Sequence, residues 1–143
     1  MKYRYCPLCG RELTKIFNYD EGYVPYCQQD NKLYFDLPKP TVVVAVIKDE
    51  DILLLSQSYI YKNSKVLVSG YVSPGETVEE TAYREVKEET GIDIKGVRYL
   101  GSYALKDRDL LMLTCVGYYK GGQLTKSPEV GALQWIKLQE ALS

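Results

Sequence analysis

A spaced array of glycines and charged residues between positions 70 and 92 constrains this 143-residue chain more than any other feature. The segment has the sequence GYVSPGETVEETAYREVKEETGI. Five residues separate its first glycine from the first fixed glutamate, and seven more separate that glutamate from an Arg-Glu pair. So many fixed positions form a far more specific signal than a short motif does. The fixed positions are Gly70, Glu76, Arg84, Glu85, Glu88, Glu89, Gly91 and Ile92.

The array predicts a tight turn followed by one helix. Pro74 and Gly75 suit the second and third positions of a type II turn. Thr77 with Glu80 three residues later forms a capping box, which starts a helix. Gly91 suits the left-handed conformation that commonly ends one. We therefore expect a loop, a helix and a second loop across this segment.

Three carboxylates share one face of the predicted helix, because Glu85, Glu88 and Glu89 fall at i, i+3 and i+4. Clustered carboxylates repel one another unless a positive charge lies between them. Oxygen-only ligand sets suit hard cations, Mg²⁺ first and Mn²⁺ next, and Mg²⁺ is commonly shared with substrate phosphates. The alternative is a solvated acidic face, as most charge runs are. An adjoining apolar stripe, which should be buried, favours the metal site. It consists of Val78, Ala82 and Val86.

The array resembles the Nudix box, Gly-x5-Glu-x7-Arg-Glu-aliphatic-x-Glu-Glu-x-Gly-aliphatic, and every position matches. The resemblance implies an α+β fold, the Nudix α/β/α sandwich with a mixed sheet. It implies hydrolysis of a diphosphate that links a nucleoside to another group. It further implies that Glu85, Glu88 and Glu89 bind divalent metal, Mg²⁺ or Mn²⁺. Arg84 would orient these catalytic glutamates by pairing with Glu76. The structural positions of the box are Gly70, Glu76 and Gly91.

Composition indicates a globular chain and restricts its acid–base chemistry. Hydrophobic residues make up 45%, charged residues 26%, and the net charge is -1, so nothing global argues for nucleic acid or an anionic membrane as a partner. An apolar signal core and a run of membrane-spanning length are both missing, which favours a cytoplasmic location. The chain has no histidine, so carboxylates, Lys, Tyr or Cys must perform any acid–base work. We expect a nucleotide-derived small molecule as substrate, and a homodimer is an open alternative.

Three cysteines and one aspartate near the N-terminus have the spacing of a metal site. The pattern C-x2-C-x17-C-x2-D fits a zinc ribbon with aspartate in place of the last cysteine. Thiolates are good Zn²⁺ ligands, and a carboxylate can complete the tetrahedron. So short a module cannot build a sufficient core, which makes a structural Zn²⁺ physically reasonable. The four residues are Cys6, Cys9, Cys27 and Asp30.

Three alternatives to a zinc site remain open. Disulfides would leave one of the clustered cysteines unpaired and do not suit a cytosolic chain. A redox CxxC motif would need a βαβ context, which the flanking residues lack. The third alternative is a ribbon that has lost its metal. Because the charges of residues 1–37 balance, whereas a nucleic-acid-binding ribbon is usually basic, we interpret the module as structural.

Two prolines in residues 37–40 mark the predicted boundary between the ribbon, residues 1–37, and the Nudix domain, residues 38–143. Cys115 lies in an apolar run and is expected as a buried core thiol. The β-branched run at 41–47 predicts a strand buried on both faces. Residues 57–64 should form a polar loop. Further strands are expected at 52–56, 66–68, 97–103, 110–119 and 134–136, with a last helical turn at 138–142.

The ribbon and the box together resemble the zinc-ribbon-bearing, NADH pyrophosphatase-like branch of the Nudix family over nearly the whole chain. In that branch a glutamate six residues before a Trp adds a metal ligand from outside the box. This implies a ligand role for Glu129, which lies six residues before Trp135. Members that cleave NADH carry a Ser-Gln-Pro-Trp-Pro-type signature after the box. Here Ser102 is followed by Tyr103, so the resemblance does not extend to NAD(H) specificity.

The resemblance therefore implies a Mg²⁺-dependent Nudix pyrophosphohydrolase acting on the class of NADH, ADP-ribose and dinucleotides. Two other functions stay open. A non-catalytic, nucleotide-sensing Nudix module would commonly have lost box glutamates or carry a DNA-binding helical domain, and the sequence shows neither. Removal of NAD-type caps from RNA is the second, and the balanced charge argues weakly against it.

Overall fold

The computed structural model describes residues 3–56, 65–125, 127–128 and 130–141. The loop predicted at residues 57–64, the side chain of Glu129 and the last residue of the predicted helical turn, Leu142, lie outside these ranges. The chain divides into two compact units, Met1–Pro38 and Lys39–Ser143. None of the helices in the described ranges combines the length and the apolar composition needed to cross a membrane.

The first unit contains a three-stranded antiparallel sheet in the order β1-β2-β3. Its strands are β1 (Thr14–Asn18), β2 (Gly22–Cys27) and β3 (Lys32–Leu33). The buried cluster of this unit is small: Cys6, Leu13 and Cys27, with Tyr3 and Tyr34 packed against it. Two of its three buried members are cysteines, so little apolar burial supports this fold.

The second unit is built on a mixed sheet, and its described residues form seven strands. The strands are β4 (Lys39–Lys48), β5 (Asp51–Ser56), β6 (Lys65–Val66), β7 (Val68–Tyr71), β8 (Asp93–Leu105), β9 (Leu110–Gly121) and β10 (Ala132–Lys137). Their order is β10-β5-β4-β9-β8, with β6 beside β5 and β7 beside β4. Strands β4 and β9 are parallel, and the other pairs are antiparallel. This confirms the α+β class with a mixed sheet.

The β-branched strand β4 lies inside the sheet, as predicted for a run covered on both faces. Val42, Val44 and Val46 are fully buried, and the residues between them are partly buried. The strand starts at Lys39, earlier than predicted, because its parallel pairing with β9 already begins there. Of the connector expected over residues 37–40, only residues 37 and 38 therefore lie outside the sheet. A proline is tolerated near the start of a strand, where its missing N–H costs least.

Strands β8 and β9 are longer than predicted and are joined by a short 3-10 turn, Lys106–Arg108. The sequence indicated residues 97–103 and 110–119, whereas β8 begins at Asp93 and β9 ends at Gly121. Register shifts between Asp93 and Ile94 and between Lys95 and Arg98 lie in the extension of β8, and a third lies between Tyr99 and Gly101. A bulge interrupts the alternation of side chains along a strand, so a prediction from the period-two pattern underestimates the length of such a strand.

One long helix, α1 (Val78–Thr90), packs on this sheet, and a short helix, α2 (Leu138–Ala141), follows β10. The predicted stripe is confirmed, with Ala82 and Val86 fully buried and Val78 partly buried against the core. Cys115 is a fully buried core thiol, as expected. Each fully buried valine contributes about 1.5–3 kcal/mol relative to exposure. The core consists of Val42, Val44, Val46, Leu53, Leu55, Val68, Ala82, Val86, Ile92, Ile94, Cys115 and Val130.

Candidate active site

A tight turn leads from β7 into α1 and sets the position of Glu76. Gly75 has a φ of 86°, and the Glu76 N–H donates to the Ser73 carbonyl at 3.0 Å, as in a type II turn. The Glu80 N–H donates to Thr77 Oγ1 at 3.1 Å, and the Thr77 N–H donates to Glu80 Oε2 at 3.3 Å. The predicted turn and capping box are both present. Glu76 is thereby held directly before the helix N-cap.

The Arg84 guanidinium forms a bidentate pair with Glu76, the pairing that the box implied. Arg84 Nε lies 2.7 Å from Glu76 Oε2, and Nη2 lies 2.9 Å from Oε1. The Ser73 N–H donates to the same Oε1 at 3.0 Å, and Thr81 Oγ1 lies 3.1 Å from it. The hydrogen bonds from Arg84, supported by those from Ser73 and Thr81, lower the pKa of Glu76 to about 2. Glu76 is therefore an anion throughout the neutral range.

The third nitrogen of Arg84 lies between two of the helix carboxylates. Nη1 is 2.7 Å from Glu85 Oε1 and 3.1 Å from Glu88 Oε2. Nη2 also donates to the Tyr71 carbonyl at 3.0 Å, which ties the guanidinium to the end of β7. Glu76 chiefly, and then Glu85, raises the pKa of Arg84, so this charge is permanent. Part of the positive charge that the carboxylate cluster requires therefore comes from Arg84 itself.

Glu85 is more enclosed than Glu76 and Glu88, with 13% of its side chain exposed against 19% and 58%. Burial raises its pKa, and Glu88 raises it further, while Arg84 acts in the opposite direction. A Cβ at position 70 would overlap the Glu85 carboxylate. The first glycine of the box is thus required because this carboxylate packs on the backbone of β7. A cation at Glu85 would offset the cost of burying its charge.

A cleft of about 230 Å³ opens over the acidic face of α1. The side chain of Glu88 is 58% exposed, so the cleft grades from the enclosed Glu85 to open solvent. Its far wall comes from the segment before β10, and Glu129 belongs to that segment in sequence but lies outside the described residues. The lining residues are Glu85, Glu88, Glu89, Ser127 and Pro128.

A larger cavity of about 760 Å³ lies elsewhere on the second unit, between β5, β10 and α2. None of the carboxylates of the box lines it. Its charged lining residues are Asp51, Lys65, Lys137 and Glu140. The carboxylates of Glu85, Glu88 and Glu89 converge on the smaller cleft, and for this reason, rather than for its size, the smaller cleft is the candidate site.

The packing of Glu85 on Gly70 predicts that Gly70→Ala weakens metal binding. The added methyl group would displace the carboxylate. Loss of a contact that orients a metal ligand reduces metal affinity about tenfold or more. Titration with Mn²⁺ followed by electron paramagnetic resonance measures the affinity. Gly101→Ala is the matched control, because a Cβ at that strand glycine meets no atom within 4 Å. Equal Mn²⁺ affinities for the two variants would contradict this role of Gly70.

The Glu76–Arg84 pair predicts a loss of stability in acid. The pKa of Glu76 falls from an ordinary 4.5 to about 2 on folding, so its ionisation stabilises the fold above about pH 4.5. That contribution is lost as the pH falls from 4.5 towards 2. We expect the difference in unfolding free energy between the metal-free wild type and Glu76→Gln to be largest near pH 7 and smaller near pH 3. Urea denaturation at several pH values tests this, and a pH-independent difference would refute it.

The four N-terminal donors converge as their spacing predicted, with their ligand atoms all within 4.8 Å of one another. The sulfurs of Cys9 and Cys27 are 3.6 Å apart. Asp30 Oδ2 lies 3.2 Å from Cys6 Sγ and 3.5 Å from Cys27 Sγ. Ligand atoms of a tetrahedral Zn²⁺ are separated by about 3.5–3.8 Å, given Zn–S near 2.3 Å and Zn–O near 2.0 Å. The donor set therefore fits one Zn²⁺, and all described cysteines are free rather than disulfide-bonded.

Backbone groups shape this cluster as well. The Cys6 N–H donates to the Arg11 carbonyl at 2.7 Å, and the Gly10 N–H donates to the Cys6 carbonyl at 2.8 Å, which closes a loop around the first two cysteines. Gly10 takes a φ of 78° there. The Asp30 N–H donates to Cys27 Sγ at 3.4 Å. In the metal-free cluster, hydrogen bonds from Cys9 and then Cys6 lower the pKa of Asp30, so its carboxylate is ionised.

Sequence reasoning missed three contributors to the Arg84 arrangement: Tyr71, Ser73 and Thr81. Tyr71 acts through its carbonyl, which carries no sequence signal. Ser73 Oγ accepts from Arg84 Nη2 at 3.3 Å. Thr81 is a hydroxyl residue next to Ala82 on the buried side of α1, and that out-of-pattern polar group is the signal that could have identified it.

Curated relatives align with nearly the whole chain. The NAD-capped RNA hydrolase NudC of Vibrio parahaemolyticus is 30% identical over 138 residues, which cover 96% of this chain and 52% of the relative. The protein of the same name from Vibrio atlanticus is 32% identical over 134 residues, 93% of this chain and 49% of the relative. The chain thus spans about half the length of the curated relatives it matches.

Solved structures share the fold. A NUDIX hydrolase from Nitrosomonas europaea superposes with a TM-score of 0.82 at 19% identity, covering 96% of this chain and 80% of that one. The MutT protein of Bacillus halodurans has a TM-score of 0.61 at 28% identity, with coverages of 73% and 71%. The NUDIX domain family matches residues 37–143, the part of the chain that contains the array, the Arg84 pair and the cleft. The chain belongs to the NUDIX family.

Proposed function

We propose that the chain is a Nudix pyrophosphohydrolase that hydrolyses the diphosphate bond of a nucleoside diphosphate linked to another moiety. The observation that most directly supports the proposal is the set of ion pairs made by the Arg84 guanidinium. The guanidinium pairs with Glu76 on one side and with Glu85 and Glu88 on the other, beside a cleft lined by carboxylates. Such an arrangement holds negative oxygen ligands in fixed positions, which metal-assisted phosphate chemistry requires.

In this proposal Glu85, Glu88 and Glu89 hold Mg²⁺ or Mn²⁺ from the helix, and Glu129 adds a ligand from outside it. Hard oxygen donors of this kind suit either cation. When bound, the cation would neutralise the charge that develops on the diphosphate during hydrolysis. Arg84 keeps the Glu85 and Glu88 carboxylates oriented towards the cleft.

The remaining box residues support this set from the ends of the helix. Gly91 takes a φ of 78°, and its N–H donates to the Lys87 carbonyl at 3.0 Å, so α1 ends directly after Glu89 and Thr90. Glu76 anchors Arg84 at the other end. One of these glutamates or a neighbouring residue would deprotonate the attacking water, since a chain without histidine leaves this task to a carboxylate, Lys, Tyr or Cys.

We further propose that residues 1–37 form a zinc-ribbon module and residues 38–143 the catalytic domain. Cys6, Cys9, Cys27 and Asp30 would hold one Zn²⁺. Four protein ligands close a tetrahedral site and leave no position for a reacting water, so this ion would be structural.

A metal-dependent substrate screen tests the proposed reaction. ADP-ribose, NADH, dinucleoside polyphosphates and nucleoside triphosphates would be incubated with Mg²⁺, with Mn²⁺ and with a chelator, and the released mononucleotide measured. We expect turnover of at least one diphosphate-linked compound that stops with the chelator. Binding of these compounds without turnover would instead support the non-catalytic, nucleotide-sensing alternative.

The missing Gln-Pro-Trp signature predicts that NADH is no better a substrate than ADP-ribose or a dinucleoside polyphosphate. Side-by-side kcat/KM values under identical metal conditions measure the preference. A preference for NADH above about a hundredfold, roughly 2.7 kcal/mol of transition-state discrimination, would show that other residues supply the specificity.

Hydrolysis of NAD-capped RNA is the second candidate, and the similarity to relatives that are named NAD-capped RNA hydrolases favours it. The net charge of -1 had argued against nucleic acid as a partner, so the two observations point in different directions. A comparison of kcat/KM for NAD-capped RNA and free NADH decides between them. A clear advantage of the capped RNA, reduced by added salt, would indicate contacts with the RNA phosphates.

A further inference from the structure

A buried hydroxyl on α1 faces two competing acceptors. Thr81 is fully buried, and its Oγ1 lies 2.9 Å from the Thr77 carbonyl oxygen and 3.1 Å from Glu76 Oε1. A threonine hydroxyl has one proton to donate. The proton therefore either strengthens the local helix backbone or binds the carboxylate that pairs with Arg84.

The charge and burial of Glu76 favour its carboxylate as the acceptor, although the Thr77 carbonyl oxygen is the nearer of the two. The Thr77 carbonyl already accepts the Thr81 N–H at 3.0 Å, the ordinary helical bond, so it does not depend on the hydroxyl. Glu76 is an anion with only 19% of its side chain exposed, and little water is available to solvate it. Hydrogen bonds to a charged acceptor are about twice as strong as neutral ones. They gain further strength where water is scarce.

We propose that Thr81 is a positioning residue: its hydroxyl holds Glu76 Oε1 in place, and Glu76 in turn sets the orientation of Arg84. Because Arg84 Nη1 contacts both Glu85 and Glu88, the orientation of the guanidinium is passed on to the carboxylates at the cleft. Without the hydroxyl, Glu76 Oε1 keeps its bonds from the Ser73 N–H and Arg84 Nη2 but loses its donor on the buried side of α1, so the bidentate pair loosens. The effect on catalysis rests on the proposed function, whereas the effect on the Glu76–Arg84 pair does not.

The same helix offers a matched control. Thr90 is also fully buried, and its hydroxyl donates to the Val86 carbonyl and accepts the Ile92 N–H at 3.4 Å. Both partners of this hydroxyl are backbone groups. Thr90→Val therefore removes a buried hydroxyl from α1 and leaves the Glu76–Arg84 pair intact. If the Thr81 hydroxyl bound only the Thr77 carbonyl, Thr81→Val would have the same limited effect.

The first arm of the test is spectroscopic and needs neither metal nor substrate. The Arg84 Nε–H resonance, assigned with Arg84→Lys, reports directly on the bond from Nε to Glu76. In metal-free protein we expect Thr81→Val to shift this resonance and to speed its exchange with water, Thr81→Ser to keep both near wild type, and Thr90→Val to change neither. Thr81→Ala serves as a second variant if Thr81→Val does not fold, as judged by circular dichroism. An unchanged Arg84 resonance in folded Thr81→Val or Thr81→Ala would overturn the proposal.

The second arm measures kinetics with the substrate that the screen identifies. We expect Thr81→Val to lower kcat about tenfold with little change in KM, since the loss of one hydrogen bond to a charged group has an effect of this order. Thr81→Ser should recover most of that loss. A wild-type kcat in Thr81→Val together with an altered Arg84 resonance would remove the catalytic part of the proposal. Absence of turnover in the wild type would refute the proposed function, and the spectroscopic arm would still decide the role of Thr81.

Discussion

Glu85→Gln and Glu89→Gln are each expected to lower kcat at least about a hundredfold while the protein stays folded. Glutamine keeps the size of the side chain but removes the negative charge of a metal ligand, and such ligands supply several kcal/mol of transition-state stabilisation. Both residues line the cleft over α1. Steady-state kinetics with Mg²⁺ on the substrate found by the screen measures the effect, and circular dichroism checks the fold.

Glu79→Gln provides the matched control for these variants. Glu79 is a glutamate of the same helix, exposed in its first turn and absent from the cleft lining. Its replacement should leave kcat within about twofold of wild type, as surface substitutions away from such features usually have small effects. If Glu85→Gln and Glu89→Gln were as active as Glu79→Gln, the metal site would have to be sought elsewhere.

Cys9→Ser is expected to release one Zn²⁺ per chain and to unfold the first unit while the second stays folded. The first unit has a small buried cluster, and structural Zn²⁺ contributes on the order of 10 kcal/mol to the folding of comparable peptides. Asp30→Cys should retain zinc or bind it more tightly, because thiolate is the softer ligand. Elemental analysis of protein purified without added metal counts the zinc, and limited proteolysis reports on residues 1–37.

Cys115→Ala is the control for the zinc variants, since this cysteine is buried in the core of the second unit and is no part of the cluster. It should keep the full zinc content. Protein that contains no zinc, yet has residues 1–37 protected from protease, would show that packing alone holds the ribbon. That outcome would leave the third alternative of the sequence analysis, a ribbon that has lost its metal, as the correct interpretation.

The features that the sequence predicted well are those made by contacts between near neighbours. The turn before α1, the capping box of Thr77 and Glu80, and the left-handed Gly91 each depend on hydrogen bonds across three or four residues. Their residue types are specified by backbone geometry that does not change with the rest of the fold. For the same reason, helical spacing alone placed three glutamates on one face.

The extents of the longer strands could not be predicted in the same way. Strand β8 begins four residues before the predicted position 97, and its pairing with β9 shifts register twice in that extension, between Asp93 and Ile94 and between Lys95 and Arg98. Strand β4 takes in Pro40 because a parallel neighbour already pairs there. Both outcomes depend on registers between segments far apart in the chain, and residue patterns within one segment carry no information about them.

The candidate site likewise has features that the sequence determined and features that depended on tertiary contacts. The chain itself determined which residue types were available and their order along the helix: Arg84 followed by its glutamates, and no histidine to share the work. Only the tertiary structure decided that Arg84 Nη2 donates to the Tyr71 carbonyl and that Glu85 packs on Gly70. Both contacts join α1 to β7, so they exist only once the fold has brought the helix and this strand together.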